Sequence, residues 1–140
     1  MQVDIFNSIP NVEGNEDIHF IFPMNEQTFN NYVAYKEDVK NEFLILVLNT
    51  KEWSNLIDKN VHLVLNDILG DYIDYYIMSG ESPIAYGKDN ICAMNEKLKN
   101  YYKNTHLYGE EKEFFLLLLK LFDTFLEQER DYYAFEIHWY

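Results

Sequence analysis

The sequence predicts an α+β fold in which a small antiparallel sheet packs against four or five helices. Three observations carry this expectation. Short apolar segments of strand length, "IHFIF" from Ile18 and "FLILVL" from Phe43, are bounded by turn residues. The chain closes on "YYAFEIHWY", where Tyr133, Phe135, Ile137 and Trp139 alternate with Ala134, Glu136 and His138 as a half-buried strand does. Three longer segments carry helical spacing instead. At 140 residues the chain is sized for one domain, 1–140, with no linker, repeat or low-complexity segment to divide it.

Taken in order, Val3 to Phe6 and Ile18 to Phe22 are strand candidates separated by a loop with Pro, Asn and Gly, and Pro23 ends the second. A helix is expected from Asn25, as its cap, to Lys36, with Phe29, Tyr32 and Val33 on one side. The strand from Phe43 is followed by Asn49 and Thr50, which suit the cap of a short helix through Ile57. Val61 to Met78 gives the clearest amphipathic pattern, stopped by the turn "SGESP" from Ser79. Asp89 to Lys103 and Glu110 to Glu129 are two further helices. The second opens on acids that suit the positive end of a helix dipole, and its "FFLLLLKLF" should be buried nearly all round.

Charge is the first feature with functional content. The chain holds 24 acids against 11 bases, a formal net charge of −13, and ten of the bases are lysines. A phosphate backbone is repelled at long range by such a protein, so direct nucleic-acid binding is not expected. Nor is a membrane span, because the longest apolar runs have six residues, far short of the roughly 20 that cross a bilayer. The first residues, "MQVDIFNSIP", lack the basic start of a secretion signal, and the lone Cys92 suits a reducing compartment. A cytoplasmic protein is expected. With 12 Tyr and 10 Phe, some aromatic side chains must reach the surface.

Motifs for chemistry are sparse. The sequence has no HExxH, no CxxC, no Walker loop, no dinucleotide fingerprint and no GxSxG elbow, so neither a cofactor nor a metal is expected. His19, His62, His106 and His138 fall in different elements and could meet only through the fold. Cys92 lies near the start of a helix, where the dipole can activate a thiol, although a small apolar packing residue explains it as well. Lys97, Lys99, Lys103, Tyr101 and Tyr102 have the vocabulary of an anion contact, and equally of a solvated helix face.

The stretch "NDILGDYIDYY" from Asn66 is the sharpest candidate. Projected at roughly 100° per residue, Val61, Leu65, Ile68, Leu69, Tyr72 and Tyr76 share the core side, whereas Asp67, Gly70, Asp71 and Asp74 share the opposite side. Local rules disfavour such a strip. Gly costs about 1 kcal/mol relative to Ala in a helix interior, and like charges at four-residue spacing cost roughly 0.2 to 0.5 kcal/mol more. Residues 60–87 hold four acids and no base, so no lysine nearby in sequence offsets them. A docking face answers this pattern: Asp67, Asp71 and Asp74 steer a basic surface, Gly70 permits close approach, and Tyr75 adds a flanking contact.

The expectation is therefore not an enzyme but a protein-binding inhibitor, an immunity protein that blocks a basic toxin such as a nuclease by occupying its active or nucleic-acid-binding cleft. A phage-type antagonist that mimics phosphates on a nucleic-acid-handling defence enzyme has the same physics. From other classes, the alternatives are a small enzyme using Cys92 with a spatially adjacent histidine, and a homo-oligomer that pairs through the aromatic strand from Tyr132.

Overall fold

The computed structural model describes residues 1–9, 17–34 and 41–139, and its side-chain detail ends at His138. Among the described residues five strands and five helices follow in the order β1 (Gln2–Phe6), β2 (Ile18–Pro23), α1 (Glu26–Val33), β3 (Phe43–Leu48), α2 (Thr50–Asp58), α3 (Val61–Leu69), β4 (Ile84–Tyr86), α4 (Lys88–Asn104), α5 (Gly109–Leu126) and β5 (Ala134–Trp139). The strands form one antiparallel sheet in the order β1-β3-β2-β5-β4. This is the α+β architecture that the sequence predicts.

Local signals place several of these elements. Asn25 caps α1, its side chain accepting from the Thr28 N–H at 2.8 Å. Asn49 opens α2 with a reciprocal capping box: its side chain accepts from Glu52 N–H while Glu52 accepts from Asn49 N–H. α1 ends at Val33, short of the expected Lys36, which lies outside the described residues.

One face of the sheet carries the main core. Phe20 and Phe22 of β2, Leu44, Leu46 and Leu48 of β3, and Phe135 and Ile137 of β5 pack against Trp53, Leu65, Met94, Phe114 and Phe122 from α2, α3, α4 and α5. Phe22 is central, stacked on Phe125 with ring centroids 4.2 Å apart and within 4.9 Å of both Phe122 and Phe135. The expectation that α5 is buried nearly all round does not hold. Its inner side is covered, but Leu116 is 52% exposed.

The other face carries α1. Tyr32 meets Phe43 edge-on at 5.8 Å and packs with Ile21 and Ile45. Polar bonds hold α1 there: the Asn31 side chain donates to Asn41 at 3.0 Å, and Thr28 Oγ accepts from Glu42 N–H at 3.0 Å. β5 is thus not the one-sided strand of the sequence reading, since Ala134 is as buried as Phe135.

β2 places His19 fully buried on this second face, opposite His138 of β5. Burial, and secondarily the neighbouring imidazole of His138, lowers its pKa from 6.5 to about 4. Between those values the unfolded chain binds a proton that the folded chain refuses, so stability falls as pH drops from about 6.5 to about 4. The loss attributable to His19 is about 3 kcal/mol at most and is complete below that window. Urea unfolding of the unmodified protein and of His19→Gln across pH 7 to 4 should show this slope only in the former; parallel profiles would contradict it.

Candidate functional site

The expected helix 61–78 stops at Leu69, and the reason lies in two side chains, Asn66 and Asp74. Asn66 turns its amide onto the backbone of Ile77, accepting from the N–H at 2.7 Å and donating to the carbonyl at 3.3 Å. Asp74 reaches β4, where its Oδ1 accepts from Ile84 N–H at 2.8 Å while its own N–H donates to Ile84 carbonyl at 3.1 Å. Such side-chain bonds give the backbone an alternative to the helical ladder. Ile73 and Ile77 then sink into the core and fix the loop from below. Asp71, Asp74, Tyr75 and Tyr76 consequently stand on a pinned loop, not on a helix face.

Each residue of the expected strip is changed by this. Asp67 remains exposed on the last turn of α3, and Asp74 is exposed although its carboxylate also closes a turn. Asp71 is exposed but not isolated, because Lys97 of α4 approaches it at 3.6 Å and lies 5.2 Å from the centroid of the Tyr72 ring. The fold thus supplies a lysine that is not found nearby in the sequence. Gly70 has an internal reason to be glycine: a Cβ there would lie 2.3 Å from the Asn66 carbonyl oxygen. Tyr76, expected in the core, is 70% exposed, since the helical phase that would have turned it inward ends seven residues earlier. Tyr75 and Met78 are each 49% exposed beside it.

A second feature adjoins the loop. On the α1 face of the sheet a groove of about 350 Å³ opens between α1 and strands β4 and β5. Phe29, Tyr32 and Val33 form its helical wall, while Ile84, Tyr86, Glu136 and His138 form its floor and far side. Phe29 stacks on Tyr132 at 4.6 Å and meets Tyr86 edge-on at 6.2 Å, an interplanar angle of 84°. The register of β4 on β5 sets Ile84 against Glu136, so the groove and the Asp74 loop are continuous through Ile84. Burial raises the Tyr86 phenol pKa, and the phenol of Tyr132 and the carboxylates of Asp74 and Glu136 push it the same way.

Sequence reasoning missed these groove residues. β4 has three residues and no pattern of its own, and Glu136 and His138 were read as the outward positions of a one-sided strand. That alternation was the available signal.

Ser82, His138 and Glu136 resemble a catalytic relay in composition but not in geometry. Ser82 Oγ lies 2.8 Å from His138 Nδ1, and Glu136 Oε1 lies 3.4 Å from the same nitrogen. A relay needs the nucleophile and the orienting acid on opposite ring nitrogens. Cys92 is half-buried on α4, and among the described residues no hydrogen bond joins it to a histidine. Lys99 pairs with Asp123 at 3.3 Å and Tyr101 packs on Phe115 at 4.9 Å, so part of the suspected anion-contact set is engaged within the fold. Among the described residues no group of three or more His, Cys, Asp or Glu is placed to hold a metal, and no helix is long and apolar enough to cross a membrane.

Neither a protein-family model, nor a curated protein, nor a solved structure matches this chain. The functional argument therefore rests on its own residues: an acidic loop with exposed aromatic side chains, and an aromatic groove with a carboxylate beside it.

The loop's dependence on Asn66 is open to test. Asn66→Ala removes both bonds to Ile77 and should destabilise the protein by about 1–3 kcal/mol. Hydrogen exchange at the Ile77 amide should accelerate more than exchange in β2. Unchanged protection at Ile77 would mean that the core contacts alone hold the loop.

Proposed function

We propose that this protein is an acidic, cytoplasmic protein-binding inhibitor that docks on a basic partner, in the manner of an immunity protein that blocks a toxin such as a nuclease. One observation carries the proposal: Asp74, Glu81, Tyr75, Tyr76 and Met78 are exposed on a loop that the fold holds in place, flanked by exposed Asp67 at the end of α3 and exposed Tyr86 of β4. Large exposed apolar groups amid charge need a reason, and interfaces supply one, because tyrosine offers broad contact area at low entropic cost.

The division of labour follows from distance. Carboxylates act over roughly a Debye length, about 8 to 10 Å at physiological salt, and draw a lysine- or arginine-rich surface into register. Tyrosines act only in contact and slow departure. The partner's cleft, built to attract phosphates, meets a surface that presents negative charge without a scissile bond. Inhibition is then by occupancy and requires no catalytic group here. Of the four lysines of α4, Lys88 is held by Glu129 at 2.7 Å and Lys99 by Asp123 at 3.3 Å, Lys103 sits in the last turn of the helix, and Lys97 contacts Asp71 at 3.6 Å.

Asp67→Asn, Asp71→Asn and Asp74→Asn combined should keep the fold, because Asn at position 74 retains the oxygen that accepts from Ile84 N–H. Against the partner captured from the native cell and identified, this variant should associate more than tenfold more slowly at low salt. Its rate should also vary less with ionic strength. A neutral or acidic partner, or a rate and salt slope equal to those of the unmodified protein, would overturn the proposal.

A further inference from the structure

The loop accounts for steering but does not engage the groove beside it, and the groove has its own chemistry. We propose that the groove between α1 and β4–β5 is a receptor for one arginine side chain of the basic partner, with Glu136 receiving the guanidinium and Phe29 and Tyr86 walling it. This deepens the docking reading and rests on it for the source of the arginine.

Charge complementarity selects the occupant. The groove brings together two aromatic rings set nearly perpendicular, at 84°, and the Glu136 carboxylate, whose side chain is 13% exposed. Phe29 has one face stacked on Tyr132 and meets Tyr86 edge-on, so what the pair offers the groove is the remaining ring surface, which attracts a cation and not an anion. Glu136 supplies the counter-charge; among the described residues no lysine or arginine pairs with it. A polar uncharged group could hydrogen-bond the carboxylate but would not neutralise its charge, and a purely apolar one would desolvate it.

Arginine fits better than lysine for two reasons. Its guanidinium is planar and weakly hydrated, so it can stack on Tyr86 or Phe29 and keep hydrogen bonds in its plane for the carboxylate. The volume, about 350 Å³, lies at the small end of ligand sites, which suits a side chain rather than a larger molecule. The position is also right. Ile84 lines the groove and bonds through its backbone to Asp74, so a partner surface steered by the loop carboxylates arrives at the mouth of the groove.

Among the described residues, His138 is the competitor. Its Nδ1 lies 3.4 Å from Glu136, and a protonated imidazole would place a positive charge on the carboxylate. The test is therefore run at pH 8, above the range in which imidazoles ordinarily take up protons.

The probes are N-acetyl-arginine amide and its uncharged near-isostere N-acetyl-citrulline amide, titrated into the full chain and followed by NMR at Phe29, Ile84 and Tyr86. Arginine amide should shift these signals saturably and citrulline amide should not. Glu136→Gln should weaken arginine amide roughly fivefold or more, the scale of one lost ion pair. Should that variant fold poorly, Tyr86→Leu provides the second reading, with a similar loss expected. Equal shifts from both probes, or arginine binding undiminished in a folded variant, would overturn the inference. Because the titration contains no partner protein, and because the triple Asp→Asn loop variant should bind arginine amide like the unmodified protein, failure here is distinct from failure of the docking proposal.

Discussion

The register of β5 against β2 is the constraint on which the rest depends. Pairing Ile21 with Glu136 and His19 with His138 sends Phe135 and Ile137 into the helical core and, by the two-residue alternation of a strand, sends Glu136 and His138 to the face that α1 crosses. A slip of one residue would bury Glu136 among Phe22, Phe122 and Phe125, where an uncompensated carboxylate costs several kcal/mol. The aromatic cluster around Phe22 thus fixes the core and, through the other side of the same strand, the chemistry of the groove. β4 inherits that register, and Asp74 inherits it from β4 through its two bonds to Ile84.

Charge is arranged with the same economy. Lys59, Lys88, Lys97 and Lys99 each find an acid, at 2.7 to 3.9 Å, and these pairs tie elements of the helical layer together. Exposed pairs of this kind add little stability individually. Three of them neutralise acids on or beside α5, and the fourth, Lys97, reaches Asp71 of the loop. The aromatic side chains of Tyr75, Tyr76 and Tyr86 reach solvent in that same region.

What the sequence made legible was local. Asn25 and Asn49 signalled helix starts that the structure keeps, and the apolar runs at Ile18 and Phe43 signalled buried strands, because those signals depend on neighbours within a few residues. The helix from Val61 was overrun for the opposite reason. Tyr72 and Tyr76 continue the apolar phase past Leu69, whereas the bonds that end the helix join Asn66 to Ile77 and Asp74 to Ile84, about ten residues away. β4 exists only because β5 offers it an edge. Leu116, in an apolar run that reads as core, reaches solvent on the side of α5 turned away from the buried Phe114, Phe115 and Leu118.

The proposed docking face is the loop 71–83 together with the groove beside Glu136. Hydrogen exchange of the protein, free and saturated with the partner captured from its native cell, measures this directly. Docking there should add protection in peptides covering 71–86 and 26–33, with exchange along the exposed side of α5 around Leu116 unchanged. Protection centred on α5, with 71–86 exchanging as in the free protein, would contradict it.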